Sequence, residues 1–192
     1  MARVKKGPDG INRREFITRA GAVLVMGAVA AACTPSLKKE LEALPVSAVI
    51  VHNPDACAGC GVCGLMCSLY HEGEVGPSLS RTVLIRDAFS AEYSVKVCQQ
   101  CQSPSCYLAC PYKDLALCID EETGVKYINA ENCDGCGKCV RACPFTPSNV
   151  RLHPVDNVAF KCDLCRGRPE GPICVEYCSM GALRVVSGAE RG

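Results

Sequence analysis

Sixteen of the eighteen cysteines fall into four quartets of regular spacing. The quartets are Cys57-x2-Cys60-x2-Cys63-x3-Cys67, Cys98-x2-Cys101-x4-Cys106-x3-Cys110, Cys133-x2-Cys136-x2-Cys139-x3-Cys143 and Cys162-x2-Cys165-x8-Cys174-x3-Cys178. The third ends in Cys143-Pro144, which completes the C-x2-C-x2-C-x3-C-P run of cubane-binding chains. A cubane [4Fe–4S] cluster takes four thiolates, one per iron. Four complete quartets therefore read as four [4Fe–4S] clusters with these sixteen cysteines as iron ligands. The chemistry such sites supply is one-electron transfer.

Two other uses of cysteine compete with this reading. A secreted chain this rich in cysteine is by default a disulfide scaffold, and thiolates at x2 spacing also hold zinc. The recurrence of one rhythm argues against disulfides, whose spacings are irregular. Two cysteines with two residues between them converge on one centre more readily than they pair with distant partners. Nothing in the chain forms an open metal site, a nucleophile–base pair or a phosphate loop. The sequence thus reads as non-catalytic. Its net charge of +1 offers no basic excess for nucleic acid.

The size of 192 residues fits one domain or two joined halves. Aromatics make up 5% and tryptophan is absent, so a large conventional core is not expected. Metal–thiolate bonds can supply the missing cohesion, because cofactor binding is then part of the folding free energy.

The N-terminus reads as an address. Arg3, Lys5, Lys6, Arg13 and Arg14 precede an apolar run from Ala20 to Ala32. That run is shorter than the ~18–20 residues an ordinary membrane-spanning helix needs. Asn12-Arg13-Arg14-Glu15-Phe16-Ile17-Thr18 resembles a twin-arginine export signal. Such a route suits a protein loaded with its cofactor before export. Ala30-Ala31-Ala32-Cys33 resembles a lipoprotein box, with Ala30 where Leu is usual; Cys33 would then carry a lipid. Cleavage at a small-residue site and a retained anchor are the other two readings. The expected location is periplasmic, or the outer face of the cytoplasmic membrane with attachment through the N-terminus.

The remaining chain is organised by repetition. Leu115–Asp120 and Val125–Ile128 flank a Gly-containing turn and predict a β-hairpin between the second and third quartets. Further strands are predicted over Val46–His52, Thr82–Phe89, Val150–Leu152 and Leu183–Val186. Each quartet closes with Cys-x3-Cys, a pair that shares one helix face about 6 Å apart along the axis. The segments are a signal or anchor over 1–33, a linker over 34–45 and the first quartet with an insertion over 46–97. A central two-cluster unit over 98–148 and the fourth quartet with a tail over 149–192 complete them.

The central unit resembles a bacterial two-cluster ferredoxin, in which the last cysteine of each run serves the other cluster. That resemblance implies Cys98, Cys101 and Cys106 with Cys143, and Cys133, Cys136 and Cys139 with Cys110. For the outer pair it implies Cys57, Cys60 and Cys63 with Cys178, and Cys162, Cys165 and Cys174 with Cys67. The implied fold is α+β, two ferredoxin-like two-cluster modules of short hairpins and short helices.

Residues 46–187 as a whole resemble the four-cluster iron–sulfur subunits of the dimethyl sulfoxide reductase type. Pro111 and Pro144 follow the family pattern, whereas Cys178 precedes Ser179 where proline is usual. The export-like start and first quartet are similar to exported ferredoxin-like partners of tungsten aldehyde-oxidoreductase-like subunits. The resemblance implies an electron relay between a catalytic molybdenum or tungsten oxidoreductase subunit and a membrane quinone-reactive or cytochrome subunit, or a soluble carrier. A free-standing polyferredoxin is the alternative within the same chemistry.

Outside the quartets, Cys118 reads as a small buried hydrophobe. His52, His71 and His153 read as structural or surface residues. Gly59, Gly61, Gly135 and Gly137 would let backbone N–H groups approach sulfur. Lys138, Arg141, Lys161 and Arg166 are among the cations near the quartets, where each either offsets cluster charge or faces solvent.

Overall fold

The computed structural model of the protein describes residues 47–87 and 89–190, all within one compact unit. The basic and apolar N-terminal segment, with Arg13, Arg14 and Cys33, and the linker to residue 45 lie outside the described residues. Among the described residues no helix is long and apolar enough to cross a membrane.

Among the described residues, eight short strands form four antiparallel pairs. Strand β1 (Val49–His52) pairs with β8 (Leu183–Val186), with Ile50 opposite Val185, so the two ends of the described fold meet. Strands β2 (Val83–Arg86) and β3 (Tyr93–Lys96) form a hairpin within the expected insertion. Strands β4 (Leu117–Ile119) and β5 (Lys126–Ile128) form the hairpin expected between the second and third quartets. Strands β6 (Val150–Leu152) and β7 (Ala159–Lys161) form the fourth pair. The expected strands at 150–152 and 183–186 are present, and the one over 82–89 shortens to β2 because Asp87 begins the turn. There its side chain accepts the backbone N–H of Phe89 at 2.9 Å.

The hairpin turns follow from local chemistry. Asp120 accepts Thr123 N–H at 2.9 Å and the Thr123 hydroxyl at 2.7 Å, and Gly124 supplies φ +68° to close the β4–β5 turn. In the β6–β7 turn His153 Nδ1 accepts Asp156 N–H at 3.2 Å.

The helices are α1 (Val62–Glu72), α2 (Ser105–Leu108), α3 (Lys138–Ala142) and α4 (Ile173–Glu176). Helix α1 packs on α4, and α2 on α3. All but α1 are one turn long, far below the ~12–15 residues at which an isolated helix becomes marginal in water. Their stability must come from what their cysteines bind and what their apolar residues touch. Sulfur is a large part of the core itself. One buried group joins Ile50, Val95, Val97 and Leu183 with Cys63, Cys98, Cys162 and Cys174. The other joins Tyr107, Leu117, Val150 and Ala159 with Cys139. Cys118 is buried in β4, its thiol 3.5 Å from the Leu115 carbonyl.

The backbone repeats more faithfully than the residues do. Asn53 caps a 3-10 turn over Pro54–Ala56, and Asn129 caps another over Ala130–Asn132; each side chain accepts the N–H two residues on at 3.1 Å. Gly61 (φ +80°) and Gly137 (φ +67°) then cap α1 and α3. Pro104 and Pro172 occupy the matching place ahead of α2 and α4. Pro104 is fully buried there.

Gly135 marks the tightest point. Its φ is +70°, and a Cβ there would stand 2.2 Å from the Asn157 carbonyl oxygen in the β6–β7 turn. Gly73, at the end of α1, has φ +72° and open space around it. Gly73→Ala is therefore expected to cost about 1–2 kcal/mol, the left-handed backbone alone. Gly135→Ala must also displace a backbone oxygen. The midpoint temperature for loss of the visible iron–sulfur absorbance should fall further in Gly135→Ala than in Gly73→Ala; equal falls would remove the packing argument.

Candidate functional site

All four quartets place a left-handed residue immediately before their second cysteine: Gly59 (φ +65°), Gln100 (φ +46°), Gly135 (φ +70°) and Leu164 (φ +59°). This turns the loop so that amide N–H groups face sulfur. Gly59 N–H approaches the Cys57 sulfur at 3.5 Å, and Leu164 N–H the Cys162 sulfur at 3.4 Å. Outside the loops, Arg81 N–H reaches Cys67 at 3.3 Å, Asn149 N–H reaches Cys143 at 3.4 Å and Ala159 N–H reaches Cys133 at 3.5 Å. Such bonds stabilise negative charge on sulfur.

Two hairpins buttress the first and third quartets in the same way. Arg86 of β2 donates to the Gly59 carbonyl from both Nε (3.1 Å) and Nη2 (2.8 Å), and the Tyr93 ring lies against Gly59. Asn157, beyond β6, closes on Gly135. The segment between the first two quartets is thus a shaping element for the first.

The structure brings cysteines of different quartets together. One cavity is lined by Cys57, Cys60, Cys63 and Cys178. A second is lined by Cys98, Cys101, Cys106 and Cys143, with Pro104, Phe145 and Lys161 in its wall. Cys139 neighbours Cys133 and Cys110, with Cys136 exposed on the same loop. Cys174 neighbours Cys67 and Cys165, and also Cys162. Among the described residues no disulfide forms. No group of three or more Cys, His, Asp or Glu there is gathered tightly enough for one metal ion. A zinc ion needs its sulfurs ~2.3 Å from one point, whereas a cubane spreads four thiolates over four irons. The donor set of thiolates and the N–H groups aimed at sulfur fit the cubane.

Electrostatics around the sulfurs are set mainly by burial. It pushes the Cys106 and Cys139 thiols up to about 11, and raises Cys63, Cys67, Cys162, Cys165 and Cys174 as well. Opposing it at Cys67 are the Arg81 N–H and charge; at Cys106 and Cys162 it is the Lys161 charge among others. Of the cations singled out by sequence, Lys161 is buried, with 3% of its surface exposed. Arg166 pairs with Asp120 at 2.8 Å and covers the Tyr127 ring at 4.1 Å. Arg141 reaches the Cys136 carbonyl at 3.4 Å, and Lys138 is exposed.

His71 lies 3.6 Å from the Cys165 sulfur and 3.7 Å from Asp163, and burial lowers its pKa to about 4. His153 contacts Glu72 and Asp156, and His52, half-buried in β1, lines the first cavity. Sequence reasoning missed Gln100 and Leu164. Aligning the quartets on their second cysteines would have set both against the glycines of the first and third.

Residues 89–187 match the 4Fe-4S dicluster domain family. The chain is 39% identical over 145 residues to the aliphatic sulfonate oxidoreductase polyferredoxin-like subunit of Pyrococcus furiosus, covering 74% of this chain and 79% of that one. It is 32% identical over 185 residues to the NrfC homolog of Haemophilus influenzae, covering 90% and 78%. Among solved structures, a chain of the BamBC active-site complex of benzoyl coenzyme A reductase with 1,5-dienoyl-CoA is 26% identical, with a TM-score of 0.44 over 73% of this chain and 76% of that one. The chain belongs to the 4Fe-4S dicluster domain family. It is an iron–sulfur electron-transfer subunit related to polyferredoxin-like proteins and NrfC.

A thiol with a raised pKa is protonated at neutral pH, so each ligation to iron must release a proton. Uptake of iron and sulfide by the metal-free chain is expected to strengthen as pH rises. The rise should continue past about 8.5, the ordinary thiol value, toward the value of about 11 reached by Cys106 and Cys139. A cluster-formation curve that levels off near pH 8.5 would contradict this.

Proposed function

We propose that the chain holds four [4Fe–4S] clusters in two ferredoxin-like two-cluster modules and relays electrons for a catalytic oxidoreductase subunit. The observation that carries this reading is the pair of cavities in which three cysteines of one quartet meet the last cysteine of another. The ligand sets are Cys57, Cys60, Cys63 and Cys178; Cys162, Cys165, Cys174 and Cys67; Cys98, Cys101, Cys106 and Cys143; and Cys133, Cys136, Cys139 and Cys110. When bound, the clusters supply one-electron chemistry, and the chain's own residues hold, space and insulate them.

The sets follow one another in a single line. Cys139 neighbours Cys106, Cys162 neighbours Cys98, and Cys174 neighbours Cys63. The line therefore runs from the Cys136 set through the Cys101 and Cys165 sets to the Cys60 set. Cys60 and Cys136 are the two exposed ligands, and they lie at opposite ends of that line. An exposed apolar residue accompanies each end: Met180 in the wall beside Cys60, and Leu115 beside the Asn132 that precedes Cys133. This arrangement suits one redox partner at each end.

One partner would be a catalytic oxidoreductase subunit, by analogy with the sulfonate oxidoreductase to which a relative belongs; the resemblance of the four quartets makes it one of molybdenum or tungsten type. The other would be a membrane quinone-reactive or cytochrome subunit, or a soluble carrier. The twin-arginine-like start supports loading in the cytoplasm, export to the periplasmic side and attachment there through the N-terminus, with Cys33 as the lipid site.

Anaerobically purified protein is expected to contain about sixteen iron and sixteen acid-labile sulfide atoms per chain, four of each per cubane. Cys178→Ser should disturb the cluster of Cys57, Cys60 and Cys63, seen as the change of one electron paramagnetic resonance signal. Eight irons, or loss confined to the cluster of Cys162, Cys165 and Cys174, would refute the assignment.

A further inference from the structure

We propose that Lys161 is a buried cation that sets the reduction potential of the two inner clusters, a role that rests on the ligand sets proposed above. Lys161 closes β7, directly before Cys162, and is 3% exposed. Its ammonium donates to the Cys162 carbonyl at 2.9 Å and, in a shorter contact, to the Lys126 carbonyl. The same two carbonyls accept the Gln100 side-chain amide, at 2.9 Å from Cys162 and 3.3 Å from Lys126. Gln100 is 1% exposed, directly precedes Cys101, and its amide oxygen accepts Lys126 N–H at 2.8 Å.

Lys161 is thereby held at the seam between the loop of Cys98 and Cys101 and the loop of Cys162 and Cys165. It lines the cavity of Cys98, Cys101, Cys106 and Cys143 on one side. On the other it lines a polar cavity of about 270 Å³ shared with His71, Arg81 and His153. Its charge acts on Cys106 of one inner set and on Cys162 of the other. The other cations near the quartets differ in reach. Lys126, 4% exposed, lines the Cys98 cavity but not the polar one, Arg81 and Arg151 act on the Cys67 set, and Arg166 and Arg168 are bound to carboxylates.

A fixed positive charge stabilises the reduced, more negative state of a cluster more than the oxidised state. The effect is large where water and salt do not screen it. Net charge around a cluster is one of the levers on its potential. Lys161 thus favours electron residence on the two inner clusters, while the outer pair, beside the exposed Cys60 and Cys136, lies beyond its direct contacts.

The test compares full-length native protein with Lys161→Met, Lys161→Gln and Lys161→Arg, each titrated electrochemically and followed by electron paramagnetic resonance. The neutral variants are expected to keep the native iron and sulfide content. Two of their four midpoints should move to lower potential by at least a tenfold change in the oxidised-to-reduced ratio, about 59 mV for one electron. The other two should stay, and Lys161→Arg should keep all four near native values. Lys161→Gln retains a donor for the two carbonyls, so it reports on charge where Lys161→Met fails to assemble. Unchanged midpoints with full iron, an equal shift of all four, or loss of iron from both neutral variants would overturn the role, the last in favour of a purely structural one. A native protein with fewer than four clusters would instead defeat the proposed ligand sets.

Discussion

Sulfur that must be both buried and ionised imposes the main constraint on this fold. An apolar wall pushes a thiol toward its neutral form, as burial does at Cys106, Cys139 and Cys162. Ligation to iron requires the opposite. The chain reconciles the two with oriented N–H groups and a few fixed cations close to sulfur. Among the described residues its regular elements are correspondingly minimal: one helix of eleven residues, three one-turn helices, each carrying cysteine, and strand pairs of three or four residues. None could persist alone in water. With cysteine making up half of one buried group, the cofactor sites and the core are largely the same object.

The left-handed residue before the second cysteine shows how that constraint reaches the backbone. Glycine takes the position at 59 and 135, where a Cβ would collide with Tyr93 or Asn157. At 100 and 164 the chain accepts a side chain in the same conformation, a cost of order 1–3 kcal/mol each. At Gln100 the compensation is visible, because its amide joins β5 to the fourth quartet through three hydrogen bonds. The strained residue thereby becomes the cross-brace between two parts of the chain far apart in sequence. No comparable bond explains Leu164, which packs instead against the buried group around Ile50 and Cys98.

Much of this was legible in the sequence because cysteine spacing is nearly a geometric instruction. The β4–β5 hairpin announced itself through Gly124 and its β-prone flanks, and β6 and β8 through short apolar runs. Strands β3 and β7 escaped notice for a physical reason. Tyr93-Ser94-Val95-Lys96 alternates too briefly to register, and Ala159-Phe160-Lys161 ends in a lysine, which ordinarily marks solvent. The buried environment of Lys161 depends on carbonyls contributed from residues 126 and 162, a coincidence no local pattern encodes. The role of the β2–β3 hairpin was hidden likewise, since Arg86 meets Gly59 only after the chain has folded back.

The exposure of one cysteine at each end of the proposed line of ligand sets carries the functional logic furthest. Cys98, Cys162, Cys165 and Cys174 are all at least nine-tenths buried. Gln100 and Lys161 both lie buried at the seam between the proposed inner sets. Cys60 and Cys136 are exposed at its ends. A relay needs this combination, because an electron must enter and leave at the surface but should not be lost to a stray oxidant between. The antiparallel pairing of β1 with β8 has a place in the same logic. It joins the ends of the described fold beside the Cys57 and Cys178 cavity, so that this cavity closes only when those ends have come together.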